Sequence, residues 1–250
     1  MVKMKDNFEM GIFWELYMDL ERQFENYLEY VPYLKDTPGG IKPRGNERVY
    51  SFKLLNLILS IGGHIDSVFK EMARYKGFKD VDCRTNCTEI KRRIREKENV
   101  PVYLPINAFE KEYSLSQRSV IFKCVPQHEV VTPFVPTREG NNVPKWWTYY
   151  NGLKHDLSVN LKKANLRNAR DVLAGAFVLN VVHIPALFRL LKNKLLKPKI
   201  WPVQGTKYQL VGSDPLSKDQ LELVTNNSKP NCLVETNLFI YDFDTEPSYK

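Results

Sequence analysis

Apolar residues recur at intervals of three and four positions along three long segments, which is the repeat of an amphipathic helix. The first segment spans residues 8–31. The second spans 47–75, and its apolar stripe is wide enough to indicate burial on more than one side. The third spans 165–196, has Asn165 as a favourable N-cap, and is apolar nearly all round over 172–188. The pattern predicts three helices that pack together.

Two shorter helices are predicted between these segments. Residues 86–98 form a charged helix, which we interpret as solvated, and 144–157 form another, in which Pro144 suits the first turn. The second long helix carries Gly62-Gly63 in its middle, although each glycine costs about 1 kcal/mol relative to alanine. The usual reason for such a pair is the close approach of another helix.

Two segments favour strands instead. Residues 100–143 contain short β-branched and aromatic runs interrupted by prolines, which we interpret as a β-rich insertion. Residues 198–250 are irregular with strand-like stretches, and the alternation over 238–243 is typical of an edge strand that pairs with the insertion. The predicted fold is a single, mainly α domain over 1–250, a helical bundle with a small β-rich insertion and a C-terminal β segment.

The composition is that of an ordinary globular protein, with 43% hydrophobic and 26% charged residues. The apolar run of the third long helix is interrupted by Asn180, His183 and Pro185 and is shorter than the ~20 residues of a membrane span. No membrane association is therefore expected. The N-terminus lacks the apolar core of a signal peptide, and the cysteines are scattered, so a cytoplasmic location is expected.

Positive charge is concentrated in one region of the chain. The chain carries 37 Lys and Arg against 29 Asp and Glu, a net charge of +8. Residues 141–200 hold eleven of these cations and two acids, a net +9, so the other 190 residues sum to −1. Such clustering indicates an anionic partner, for which RNA or another nucleic acid is the best fit, although a solubilising face is the alternative. The predicted contacts are Lys145, Lys162, Lys163, Arg167 and Arg170.

One compact group of polar residues precedes the third long helix. Within 149–156, Asn151, Lys154 and His155 stand at i, i+3 and i+4 and so share one helix face. The plain alternative is the polar face of an ordinary surface helix. The sequence contains no metal-ligand spacing and no phosphate-loop, dinucleotide-binding or nucleophile-elbow motif, so no metal or cofactor is expected.

The stretch from Asn151 to Asp156 resembles the N-x-x-K-H-D sequence seen in relatives of the HEPN superfamily (higher eukaryote and prokaryote nucleotide-binding). The resemblance implies a HEPN-like helical bundle. Active members of that family are metal-independent ribonucleases, in which an Arg and a His from two subunits meet across a dimer interface. His155 matches the family histidine, whereas the arginine position holds Tyr150. The resemblance therefore implies a homodimer acting on RNA in defence or stress response, with an incomplete catalytic motif.

Each member of the group has a role under this resemblance. His155 would move the 2′-OH proton, while Lys154 supplies charge and Asn151 a hydrogen-bond donor near the phosphorus. Tyr150 lacks the permanent charge and forked donors of an arginine. Asp66, in the second long helix, would need a partner if it were buried, and Lys154 or His155 is the expected one. The alternative function is a catalytically inactive interaction or scaffold protein whose Asn/Lys/His group is structural.

Overall fold

The computed structural model describes residues 7–34, 45–75, 109, 113–123, 128–137, 143–182, 190, 195–198 and 232–243. This part of the chain is dominated by helices and carries one small antiparallel sheet, as predicted. The predicted helix over 86–98 lies outside the described residues.

Five α-helices are described, and their bounds are α1 Asn7–Leu28, α2 Phe52–Tyr75, α3 Lys145–His155, α4 Leu157–Asn160 and α5 Leu166–Val182. Helices α1, α2 and α5 pack on one another and form the core, which confirms the prediction from the three apolar stripes. Every residue over 172–182 of α5 is buried. This burial on all sides explains why the sequence of α5 shows so little polar face.

Five short strands form the sheet: β1 Val120–Phe122, β2 Glu129–Val131, β3 Leu196–Pro198, β4 Cys232–Glu235 and β5 Phe239–Asp242. Their order is β2-β1-β5-β4-β3, and each neighbouring pair is antiparallel. Strand β1 pairs with β5 through Ile121 and Ile240. The insertion and the C-terminal segment therefore share one sheet, as predicted.

The edge position predicted for residues 238–243 is wrong. Strand β5 lies between β1 and β4, so both of its sides are paired. Phe239 stacks on Phe177 of α5 with the ring centroids 5.7 Å apart. The alternation in this segment therefore reflects one sheet face packed against α5 rather than a strand at the border of the sheet.

The ends of the predicted helices also differ from the prediction. Helix α1 ends at Leu28 rather than at residue 31, and α2 begins at Phe52 rather than at residue 47, because the Ser51 hydroxyl caps it by accepting the N–H of Leu54 at 3.1 Å. Helix α3 begins one residue after Pro144 and stops at His155, because Asp156 leaves the helical backbone. The Oδ1 atom of Asp156 instead accepts the N–H of Val159 at 3.4 Å and so caps α4. The last predicted helix cannot reach Leu196, since that residue already belongs to β3.

One described segment, Phe52–Met72 of α2, is long and apolar enough to cross a membrane by length and composition alone. The segment packs against both α1 and α5, and 56% of it is buried inside the protein. A buried core helix passes the same test, so this property is weak evidence for a membrane span.

Candidate nucleic-acid interface

Helix α3, which carries the predicted catalytic group, contacts α2 at Gly62. Tyr150 is buried, and its ring fills the space where a side chain at position 62 would stand. A Cβ atom on Gly62 would lie 2.6 Å from Tyr150 Cζ, whereas a Cβ on Gly63 would meet nothing within 4 Å. The glycine pair thus marks the close approach of another helix, as predicted, but only Gly62 is required for it.

Tyr150 also provides the hydrogen bond to Asp66. Its hydroxyl donates to Asp66 Oδ2 at 3.1 Å. The pKa of Asp66 is raised above its usual value because the carboxyl is buried. This hydrogen bond and the charge of Lys154 partly offset that rise. Lys154 or His155 was the expected partner, but Lys154 contributes only nearby charge, with its Nζ 5.6 Å from the Tyr150 ring centroid. Tyr150 and Asp66 therefore fasten α3 to α2.

Replacing Gly62 with alanine should lower the free energy of unfolding by about 1–3 kcal/mol, the usual cost of overpacking a core. The new methyl group must displace the ring of Tyr150, which is buried and bonded to Asp66. Urea denaturation measures the change. Gly63→Ala is the matched control, and we expect it to be neutral or to stabilise by up to about 1 kcal/mol. An equal loss of stability in Gly62→Ala and Gly63→Ala would contradict the packing of α3 on Gly62.

Asn151, Lys154 and His155 all lie on α3, and at their spacing they share one face. Asn151 is half-buried, and its Nδ2 donates to the carbonyl of Trp147 at 2.9 Å. Lys154 and His155 are exposed, and within the described residues the His155 ring makes no hydrogen bond. An exposed ring can meet a ligand, and it does not brace the surrounding main chain.

Polar side chains build the turn that follows α3. The Nδ2 of Asn160 donates to the carbonyls of Gly152 at 3.1 Å and Asp156 at 2.7 Å. Lys163 Nζ donates to Asn160 Oδ1 at 2.6 Å. Asn165 then caps α5, as predicted, by accepting a first-turn N–H at 3.0 Å. These bonds hold the turn that carries Lys162 and Lys163 against α3.

Tyr149 lies where this turn meets α3. Its ring centroid is 5.6 Å from Lys145 Nζ and 5.0 Å from Lys163 Nζ, both within cation–π distance. The ring is half-exposed, and the neighbouring Lys162 is exposed. The sequence prediction omitted Tyr149. An aromatic residue four positions after Lys145 in a basic segment is nevertheless a recognisable signal of a nucleic-acid-binding surface. We call Lys145, Tyr149, Lys162, Lys163 and Arg167 the basic surface.

A cleft of about 490 Å³ opens beside the basic surface. Its walls are the start of α3, the first turns of α5, strand β2 with the turn after it, and the turn at residues 47–48. Three of the predicted nucleic-acid contacts line it, namely Lys145, Arg167 and Arg170. The fold therefore brings together three predicted contacts that are up to 25 positions apart in the chain.

Arg170 forms the floor of the cleft and is only 4% exposed. Its guanidinium donates to Glu129 and the Tyr33 hydroxyl, each at 2.6 Å, and to Asp171 at 2.6 and 2.9 Å. Burial raises the pKa of Asp171, and the charge of Arg170 opposes that rise. The prediction of Arg170 as a phosphate contact does not fit this geometry, because its donors are already committed to buried partners.

Arg167 and Lys145 are differently placed. The side chain of Arg167 is 56% exposed, and its Nη1 lies 3.8 Å from Glu47 Oε1, which is too long for a hydrogen bond. Lys145 is exposed and makes no hydrogen bond within the described residues. The first N–H groups of α5 already donate to the carbonyls of Val49 and Glu47. These two N–H groups are therefore not available to an anion in the cleft.

The predicted catalytic group does not face the cleft, since none of Asn151, Lys154 and His155 lines it. Lys154 follows Tyr149 by five residues, which places it roughly 140° round the helix at about 100° per residue. The structure therefore puts the predicted binding and catalytic residues on different sides of α3.

Among the described residues, no group of three or more His, Cys, Asp or Glu side chains is arranged to hold a metal ion. No protein-family model matches the chain, and neither the curated proteins nor the solved structures contain a match.

Proposed function

We propose that this protein binds RNA, or another nucleic acid, through the basic surface. The observation that supports the proposal is the placement of Lys145 and Lys163 within cation–π distance of the half-exposed Tyr149 ring, which lines the same cleft as Arg167. Over residues 145–170 the chain carries a single acid, Asp156, whose carboxylate caps α4. The surface is thus cationic over a stretch that combines phosphate-binding groups with an aromatic ring.

Both components have a known role in binding single strands. Lys and Arg neutralise phosphates and release counterions, which makes the affinity depend steeply on salt. An aromatic ring stacks on a base, which contributes about 1–3 kcal/mol without sequence preference. The HEPN resemblance of the motif adds the proposals that the protein forms a homodimer and works in defence or stress response. The scattered cysteines add the proposal of a cytoplasmic location.

Replacing Lys162 with glutamate should weaken RNA binding and lower the slope of log affinity against log salt by about one. Lys162 is exposed, so the change removes a phosphate contact with little effect on folding. Fluorescence anisotropy of a labelled single-stranded RNA, from about 50 to 200 mM salt, measures both quantities.

Arg22→Glu is the matched control for this measurement. It makes the same change in net charge, but on α1, where Arg22 is exposed and pairs with Asp19. We expect its salt slope to equal that of the wild type. An equal loss of RNA affinity in the two variants would show that binding responds to net charge alone. If the wild type bound no RNA at low salt, the alternative of an inactive interaction protein would remain.

The exposed ring of His155 favours a second candidate function, the metal-independent cleavage of bound RNA. In this proposal His155 takes or gives the proton, Lys154 supplies charge, and Asn151 donates to the phosphate. Tyr150 limits the activity, because it is buried against Gly62 and places no cation where the family has its arginine. We therefore expect any cleavage to be slow.

A further inference from the structure

The cleft beside the basic surface has the size and lining of a small-ligand site. Its volume of about 490 Å³ falls within the roughly 300–1,000 Å³ of such sites. Val130 and Val135 line one side and are 67% and 50% exposed. Tyr149 also lines the cleft and is half-exposed. The cleft thus offers both apolar and aromatic surface to a ligand.

The charges in the cleft favour an anion. Four cations and three acids line it, which leaves one excess positive charge: Arg48, Lys145, Arg167 and Arg170 against Glu47, Glu129 and Asp171. Arg170 is paired with both Glu129 and Asp171, so these three groups together leave one negative charge at the floor. Glu47 accepts from the Tyr33 hydroxyl at 3.5 Å. Lys145 and Arg167 are exposed cations in the cleft lining and can meet a ligand, although Arg167 Nη1 also lies 3.8 Å from Glu47 Oε1.

The walls are held in place before any ligand arrives. Trp146 is 2% exposed, and its Nε1 donates to the carbonyl of Pro133 at 2.6 Å, which ties α3 to the turn after β2. Arg170 ties α5 to β2 through Glu129. A ligand therefore does not have to open or order this cleft, and less of the binding free energy is lost to rearrangement.

We infer that the cleft takes one nucleoside phosphate, with its phosphate on Lys145 and Arg167 and its base against the Tyr149 ring and the apolar lining. The inference rests on the proposed function, because it names the unit of the nucleic acid that this site holds. The unit is either a free nucleotide or one unpaired nucleotide of a strand. A paired base cannot enter, because its edge is hydrogen-bonded and its faces are stacked in the duplex.

Calorimetry with adenosine 5′-monophosphate, adenosine and inorganic phosphate tests the site on the full chain. We expect the nucleotide to bind at least about tenfold more tightly than adenosine or phosphate, since only the nucleotide engages both the cations and the ring. Arg167→Ala and Tyr149→Ala should each weaken nucleotide binding by about tenfold or more. Arg22→Ala, an exposed cation on α1, should leave it unchanged, and thermal melts check that every variant is folded.

A second arm uses a single-stranded RNA and a duplex of the same length. Preference for the single strand, together with loss of affinity in Tyr149→Ala, supports insertion of one nucleotide even if the free mononucleotide binds too weakly to measure. RNA binding that depends on Lys162 but is unchanged in Arg167→Ala and Tyr149→Ala would overturn the inference and leave the proposed function standing. A wild type that binds neither RNA nor nucleotide would overturn both.

Discussion

Replacing Arg170 with alanine should lower the free energy of unfolding by about 3–5 kcal/mol, the usual cost of removing one partner of a buried ion pair. The guanidinium is the shared partner of Glu129, Asp171 and the Tyr33 hydroxyl. It also lies 5.0 Å from the centroid of the Tyr33 ring. Without it, two carboxylates share the floor of the cleft with no cation between them, and burial favours their protonation.

Urea denaturation of three variants separates charge from geometry. Arg170→Lys keeps the charge but loses the forked donors, so its stability should fall between those of wild type and Arg170→Ala. Arg167→Ala is the control, because it removes an exposed arginine from the same helix and should change stability by no more than about 0.5 kcal/mol. If the free energy of unfolding of Arg170→Ala lay within about 0.5 kcal/mol of the wild-type value, the ion pairs on the cleft floor would have no structural role.

Replacing His155 with alanine should reduce RNA cleavage by about 10²–10⁴-fold, the usual contribution of a general acid or base. The same change should leave the melting temperature and RNA affinity nearly unchanged, because the ring is exposed and lies away from the cleft. Cleavage is measured on a labelled RNA in EDTA, which removes contaminating metal-dependent nucleases from the signal.

His128→Ala is the matched control, since it removes another exposed histidine and should leave the cleavage rate unchanged. Cleavage that survives in His155→Ala would contradict the assignment of the catalytic group. If the wild type did not cleave RNA, only the proposal of RNA binding would remain. Tyr150→Arg is not expected to restore the family's site, because the new side chain would be buried against Gly62 rather than presented to RNA.

The features predicted correctly from the sequence are those decided by local chemistry or burial periodicity. The apolar repeats of α1, α2 and α5 predicted a shared core because three faces of this kind must be buried together. Asn165 was identified as a helix cap because its short amide accepts a first-turn N–H, which it does. Gly62 was interpreted as a contact point because glycine in a helix interior needs a compensating reason.

The features missed depend on partners that are distant in the chain. Arg170 looked like one more cation of a basic segment, but its partners Glu129 and Tyr33 lie 41 and 137 positions away. Tyr150 occupies a position that the short motif assigns to an arginine, and the motif carries no information about Gly62 on another helix. The edge strand was misplaced for the same reason, since strand order is set by pairings that alternation does not encode.

The pairing of β1 with β5 has a consequence for how the chain folds. Ile121 and Ile240 are paired although they are 119 positions apart. Closing a longer loop costs more entropy, and contacts between distant residues slow folding. The contact between α1 and α2 needs a far shorter loop, so we expect the packing of these two helices to come first and the pairing of β1 with β5 to come later. Until then β1 has an unpaired border, which is the kind of surface that draws incompletely folded chains into aggregates.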